Sequence, residues 1–447
     1  MGKQLFGTDG IRGVAGEYPL DPATVYACGL ALGKDLTKVR SRVQPEVVIG
    51  MDTRESGPAI GGQLAAGLEA CGVRTRFAGI ITTPGVAWLT RSVPFDAGVM
   101  ISASHNPYRD NGIKIFASSG YKLPDTEEHL IEQEIFQALE AGVAPTEAVL
   151  TVDPGLDELY LQFLLSTLKT RLDGRRIVVD CGNGAASHLA ADLYLRAGAE
   201  VISMGDQPDG TNINLNSGAL HVEALRQRVL AENADAGVAF DGDADRAILV
   251  SAAGRVIDGD AVLLIAGRSM KNSGHLSGDT LIATVMSNLG LERALAADGI
   301  RMVRTPVGDK YVLEEMIRTG AVLGGEQSGH VIFREFATTG DGMLTALRVF
   351  EISQQAGASL EKLIDGLEIY PQLLVNIRVA RKQPLDQLPE VARRIAECEE
   401  AFQGAGRVLV RFSGTEPLAR VMVEGPEMDR VEYYTNRIAE AIRAELA

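Results

Sequence analysis

A chain of 447 residues exceeds what one hydrophobic core organises, so several domains are expected. With 46% hydrophobic and 23% charged residues it has the composition of a globular protein, and its net charge of −16 excludes general nucleic-acid binding, which needs a basic face. An anionic ligand must then meet its positive partners in local clusters.

The opening MGKQLFGTDGIRG holds no apolar stretch of the kind a secretory signal needs, and no later run is long enough to span a bilayer. Cys28, Cys71, Cys181 and Cys398 are far apart and form no CxxC pair. Reduced thiols and a cytoplasmic location are expected.

In chain order, the first feature is a polar Gly loop at 6–13, in which Arg12 is a candidate phosphate partner; a local salt bridge is the plainer reading. A β-branched run at 47–50 then leads into the loop 51–57. The same plan returns at 177–180, followed by Cys181-Gly182-Asn183-Gly184 and a helix over 189–197, and again at 280–285, followed by 287–290 and a helix from Leu291. Short apolar strands alternating with helices predict α/β domains with a substantially parallel sheet, whose ligands bind at the carboxyl ends of the strands. Breaks fall in the Gly/Pro-rich stretches at 141–146 and 153–155 and at the turn 251–254. Beyond Pro371 come a strand, a charged helix over 388–401, a strand pair and a closing helix over 429–447, which reads as a small α+β domain with an antiparallel sheet. The expected domains are 1–152, 153–254, 255–369 and 370–447.

Four loops carry chemistry. Asp241, Asp243 and Asp245 alternate around Gly242 between two apolar runs. Three like charges gathered on one turn are unfavourable without a cation, and hard oxygen donors suit Mg²⁺. A calcium EF-hand does not fit, because Arg246 and Ala252 occupy the positions of its Gly and its bidentate Glu; a solvated acidic turn is the lesser alternative. Ser104 stands in Ser-Ala-Ser-His-Asn-Pro at 102–107, after an apolar run, as a candidate nucleophile whose phosphorylated form would add metal-ligating oxygens. An Asn-Pro turn with incidental serines competes with that reading, and a Ser-His-Asp hydrolase lacks its GxSxG elbow. Lys114 follows closely, placed to stabilise a phosphoryl group or to move protons, although an isolated Lys is more often plain surface. At 324–330, Glu326, Gln327 and Ser328 suit sugar hydroxyls or an amine, while a Gly-rich turn with His330 merely packed is the alternative. At 410–420, Arg411, Ser413, Gly414, Thr415 and Arg420 make a phosphate cradle, against a hairpin with solvated arginines.

These loops, in this order and spacing, resemble the α-D-phosphohexomutase superfamily over essentially the whole chain. The resemblance implies three similar mixed α/β domains plus a C-terminal α+β domain around a central cleft, each giving one loop. It implies Ser104 as the phosphoserine and, with Asp241, Asp243 and Asp245, as a Mg²⁺ ligand. Lys114, Arg12 and His330 then assist catalysis, while Glu326 and Ser328 bind the sugar and Arg411, Ser413, Gly414, Thr415 and Arg420 its phosphate. The opening loop, the stretch 285–290, Val307-Gly308-Asp309 and Gln327 are similar to the bacterial branch acting on glucosamine phosphate. The chain departs from that branch at 217–221, where Ser-Gly-Ala-Leu-His replaces Cys-Gly-Ser-Thr-His, and at Lys310, where Arg is usual.

The expected activity interconverts glucosamine 6-phosphate and glucosamine 1-phosphate through a sugar 1,6-bisphosphate, which also serves as activator, and supplies UDP-N-acetylglucosamine for peptidoglycan. A phosphoglucomutase or phosphomannomutase is the nearest alternative, and a Mg²⁺-dependent sugar-phosphate phosphatase or a non-catalytic binder lies further off. A phosphorylated hexosamine is the expected partner, nucleic acid and membrane are not, and the oligomeric state is left open, a homodimer included.

Overall fold

Apolar β runs of up to eight residues build four sheets in the computed structural model, which describes residues 4–7, 9–38, 44–412 and 417–446. The first sheet contains β1 (Phe6–Gly7), β2 (Gly10–Val14), β3 (Glu46–Met51), β4 (Arg74–Ile80), β5 (Ala97–Ile101) and β6 (Asp110–Ala117), in the order β1-β2-β6-β5-β3-β4. Its centre is parallel (β3 with β4 and with β5), whereas β5 with β6, β6 with β2 and β2 with β1 are antiparallel. The second sheet contains β7 (Arg176–Asp180), β8 (Glu200–Met204), β9 (Ala236–Phe240), β10 (Ala247–Ser251) and β11 (Val256–Ile257). Here β7 pairs parallel with β8 and β9, and the hairpins β9–β10–β11 are antiparallel. The third sheet runs β13 (Arg301–Thr305), β12 (Thr280–Thr284), β14 (Leu323–Gly325), β15 (Val331–Phe333), with β12 parallel to β14 and β14 antiparallel to β15.

The expectation of a substantially parallel sheet is thus corrected to mixed sheets. Each has a parallel centre fed by helical crossovers and an antiparallel side entered through a hairpin (β5–β6, β9–β10 and β14–β15), and in the first sheet the sequence-distant β2 then adds antiparallel to β6. The turn at 251–254 belongs to such a hairpin: Gly254, at φ +78°, brings β11 back along β10, and the second sheet runs on to Ile257, past the break expected at 254. The central strands are β5, β9 and β10, with every residue buried, as apolar runs covered by helices on both faces should be.

The chain divides into two compact units. One comprises Met1–Val285 and Val303–Asp365 and holds the α/β layers just described; the other comprises Met286–Met302 and Gly366–Ala447. In the second, β16 (Gln372–Arg378), β17 (Arg407–Phe412) and β18 (Leu418–Glu424) form an antiparallel sheet in the order β16-β18-β17. Helices Pro389–Phe402 and Met428–Leu446 pack on it through Val391, Cys398, Val431 and Ile438. The helix Leu289–Ala297 clusters with this unit. Asn288 explains it: its side chain donates to Tyr370 O (2.9 Å) and accepts from Tyr370 N (3.0 Å), while Glu424 accepts from Leu289 N (2.9 Å). Among the described residues no helix is long and apolar enough to cross a membrane.

Candidate active site

Three loops in the first unit leave the carboxyl ends of β5, β9 and β14 and meet one another. Gly242 lies so close to the β5 loop that an added Cβ would stand 2.5 Å from Ser104 O, and Gly342 N donates to Ala244 O at 2.9 Å. The loop between β14 and β15 reaches the second sheet where Ala247 N donates to Gly329 O (3.1 Å).

Ser104 is 1% exposed and holds φ +51°, a left-handed conformation that a side chain seldom adopts. Its Oγ donates to Asp241 Oδ2 at 2.5 Å and lies 3.4 Å from His105 Nδ1. Asp241, Asp243 and Asp245 each offer a carboxylate oxygen within 4.8 Å of the others, and Ala244 between them takes φ +54°, the turn that makes them converge. Asp243 Oδ1 and Asp245 Oδ1 are buried without a hydrogen-bond partner. Burial raises the Asp241 carboxyl well above the usual range, and the charges of Asp245 and Asp243 raise it further. An all-oxygen donor set with orphaned buried oxygens fits a hard divalent cation; among the described residues this is the one such acidic group.

Lys114, on β6 opposite Met100, reaches into this cluster. Its Nζ lies 2.8 Å from Asp243 Oδ2, 3.2 Å from Asp9 Oδ2 and 3.7 Å from Asp245 Oδ2. Burial alone would favour a neutral amine, but Asp243, Asp9 and Asp245 outweigh it and push the pKa up, so the ammonium is retained. Asp243 responds in kind: against burial, Lys114 and the Thr83 hydroxyl hold it low.

Other charged residues of the site stand out only in three dimensions. Asp9 takes Arg12, Lys114 and Lys122, which together overcome its burial and lower its pKa well below the usual carboxylate range. Lys122 continues to Asp309 Oδ2 at 2.6 Å. Arg246 packs against the Asp loop, its backbone N donating to Asp241 Oδ1 (3.2 Å) and its Nη1 lying 3.2 Å from His105 Nδ1. Asp9, Lys122, Arg246 and Asp309 are sequence-distant charges with no local pattern of their own. The loops 6–13 and 240–246 and the stretch Val307-Gly308-Asp309 contained three of them, but their long-range pairing is a tertiary fact.

The remaining expected residues distribute as follows. Arg12 Nε is buried without a partner, while Nη2 binds Asp9. His330 is 2% exposed; its Nε2 accepts from Gly340 N (3.1 Å), which leaves the proton of a neutral ring on Nδ1, a buried atom with no partner. Glu326 is half-buried with Oε1 accepting from Gly308 N (3.0 Å), and Ser328 is exposed. In the second unit Arg411 and Arg420 are directly opposed across β17 and β18. Burial lowers the Arg411 pKa, and the facing Arg420 lowers it further. Ser413, Gly414 and Thr415 lie outside the described residues.

Comparison with known proteins gives the family. Phosphoglucomutase/phosphomannomutase models match in four stretches: alpha/beta/alpha domain I at 3–142, domain II at 157–254, domain III at 258–370 and the C-terminal domain at 374–441. The chain belongs to this family, the α-D-phosphohexomutases, enzymes of intramolecular phosphoryl transfer. It is 63% identical over 446 residues to a phosphoglucosamine mutase of Solibacter usitatus (strain Ellin6076), with 100% of both chains covered. A phosphoglucosamine mutase of Koribacter versatilis (strain Ellin345) is 50% identical, with 99% of this chain and 97% of the relative covered. Among solved structures, a putative phosphomannomutase from Thermus thermophilus superposes with a TM-score of 0.79 at 23% identity, covering 99% and 100% of the two chains. Aspergillus fumigatus N-acetylphosphoglucosamine mutase, in complex with GlcNAc-6P and magnesium, gives 0.63 at 18% identity, covering 99% and 96%. At those identities the structures speak to the fold.

Proposed function

We propose that this enzyme interconverts glucosamine 6-phosphate and glucosamine 1-phosphate in the cytoplasm through a phosphoserine at Ser104, supplying UDP-N-acetylglucosamine synthesis. The observation that carries the chemistry is the bond from Ser104 Oγ to Asp241, 2.5 Å, within an acidic cluster that Lys114 neutralises only in part. The amino-sugar substrate is supported by the phosphoglucosamine mutases among the relatives.

In the forward step a free hydroxyl of the bound sugar phosphate attacks phosphorus on phosphorylated Ser104. The P–Oγ bond breaks, Ser104 recovers a proton, and the sugar becomes a 1,6-bisphosphate. After the intermediate turns over, Ser104 Oγ attacks the other phosphate, loses its proton, and the remaining monophosphate leaves. Lys114 and Arg12 meet the charge that develops on the transferred group. Asp241, Asp243 and Asp245, with an oxygen from Ser104, would hold Mg²⁺, which when bound neutralises phosphoryl charge. Proton transfer is assigned to His330 or Lys114. Glu326 and Ser328 take the sugar, and Arg411, Ser413, Gly414, Thr415 and Arg420 its resident phosphate. In functional terms the stretches 1–152, 153–254, 255–369 and 370–447 contribute the phosphoserine, metal, sugar and phosphate loops.

The test is turnover of glucosamine 6-phosphate against glucose 6-phosphate, with Mg²⁺ and a hexose 1,6-bisphosphate activator, for wild type and Ser104→Ala. A preference for the amino sugar that disappears in Ser104→Ala is expected. Preference for glucose 6-phosphate would keep the relay and replace the substrate, and inorganic phosphate as main product would replace mutase by phosphatase.

A further inference from the structure

Arg54 is the bulkiest of the fully buried side chains, 1% exposed, and it stands just beyond the end of β3. All five of its N–H groups are used. Nε donates to Asp52 Oδ2 at 2.9 Å, Nη1 to Pro107 O and to Asp110 O (2.9 Å), and Nη2 to Ser104 O (2.9 Å) and Asn106 O (2.8 Å). Four of the five acceptors are therefore main-chain carbonyls of one loop, the loop that carries Ser104. The same carboxylate governs the other side of that residue: Ser102 Oγ donates to Asp52 Oδ2 (2.6 Å) and accepts from Ser104 N (2.9 Å).

A guanidinium costs several kcal/mol to bury, and an apolar side chain of similar volume would fill the space more cheaply. What an aliphatic residue lacks is a rigid planar fork able to address four carbonyls at once. The loop needs such a clamp. Ser104 holds a left-handed φ of +51°, which persists only where the surroundings over-determine it, and its N–H and C=O are both tied back to the Asp52–Arg54 pair. Without that pair, the main chain of Ser104 keeps the bond from Asn214 Nδ2 to its carbonyl (3.0 Å) but loses the four-carbonyl clamp that keeps Oγ turned toward Asp241.

We infer that Arg54 is a positioning residue for phosphoryl transfer: with Asp52 it holds the 104–110 loop so that the nucleophile stays aimed at the acidic cluster. This rests on Ser104 being the phosphorylated nucleophile. Misplacing a reacting atom by about 1 Å costs on the order of 100-fold in rate, whereas Arg54 touches nothing assigned to the sugar.

The test measures kcat and KM for glucosamine 6-phosphate, and the rate of phosphate gain on the protein from glucose 1,6-bisphosphate by intact mass. Wild type, Arg54→Lys, Arg54→Ala and Ser104→Ala are compared. Arg54→Lys keeps the charge and loses the fork; its kcat and its rate of phosphorylation should both fall on the order of 100-fold, with KM within about threefold. Guanidinium chloride at about 10 mM should restore Arg54→Ala saturably, an effect that a general loss of packing does not produce. Should Arg54→Ala fail to fold, Asp52→Asn is read in its place, with a fall in kcat at constant KM expected. Wild-type kcat in Arg54→Lys or in Asp52→Asn, or equal losses in kcat and affinity without guanidinium rescue, would overturn the inference. Turnover and phosphate gain persisting in Ser104→Ala would instead remove the nucleophile on which it rests.

Discussion

Lys114 is a cation committed to three carboxylates and 1% exposed, so its removal leaves buried charge without a partner. Breaking such a cluster costs about 3–5 kcal/mol, and losing a donor that meets transition-state charge costs about 10²–10³ in kcat. Lys114→Met should show both effects, in urea unfolding and in steady-state turnover. The two carry different dependence on divalent cation. In EDTA the carboxylates of the variant are left with Arg12, Lys122 and Arg246 alone; with Mg²⁺ present, bound cation replaces part of the missing charge. The stability loss should therefore be larger in EDTA. An equal loss in both buffers would separate Lys114 from the cation site.

At the scale of elements, two positions join local structure to chemistry. Asp341 caps the helix Gly342–Ala356 by accepting from Leu344 N (2.9 Å), and its other oxygen accepts from the Tyr160 hydroxyl (2.8 Å). Burial pushes its pKa up from 3.8 to about 6. A folded pKa above the unfolded one means that the folded state binds the proton more tightly. The contribution is thus fully present below about pH 4 and is lost as pH rises through about 6, amounting to about 3 kcal/mol. Urea midpoints should fall between about pH 4.5 and 7.5 for wild type more steeply than for Asp341→Asn; parallel profiles would show that the carboxyl does not titrate there. Across β17 and β18, Arg411 faces Arg420. If the pair exists to seat phosphate, Arg411→Met relieves repulsion and leaves the thermal midpoint unchanged or slightly higher. KM for the sugar phosphate should then rise about tenfold, the equivalent of about 1.4 kcal/mol. A lower midpoint with unchanged KM would make the pair structural.

At the scale of the whole molecule, the second unit is assembled from two separated stretches of chain, 286–302 and 366–447. Asn288 is 2% exposed and satisfies both the N–H and the C=O of Tyr370 while capping its own helix at Gly290 N. Asn288→Ala leaves those groups buried without partners, at a cost of about 2–3 kcal/mol. Native-state hydrogen exchange should report that loss in β16 and β18; unchanged protection of those strands would show that the shorter stretch is not integral to the unit.

Much of this was legible in the chain itself. Asp241, Asp243 and Asp245, Ser104 and the loop at 324–330 announced themselves because a strand followed by a Gly-rich polar loop is a local pattern, and charge crowded onto one turn demands a counter-ion within a few residues. The opposing arginines at 411 and 420 were visible for the same reason. Strand direction was less so: β6 and β10 return antiparallel because short turns permit it, and nothing in an apolar run records which way its neighbour points. Nor did local pattern assign Leu289–Ala297 to the C-terminal unit, show that Asp9 collects Lys114 and Lys122, or place Arg54 beneath the Ser104 loop. Those depend on pairs separated by 50 to 135 residues, such as Arg54 with Ser104 O and Glu424 with Leu289 N. By itself the sequence determined which side chains are candidates for phosphoryl chemistry, through residue type, short spacing and the resemblance of its loops to a known family. Only the tertiary structure decided which charges neutralise which, because a buried charge takes its energy and its protonation state from whatever the fold sets within a few ångströms of it.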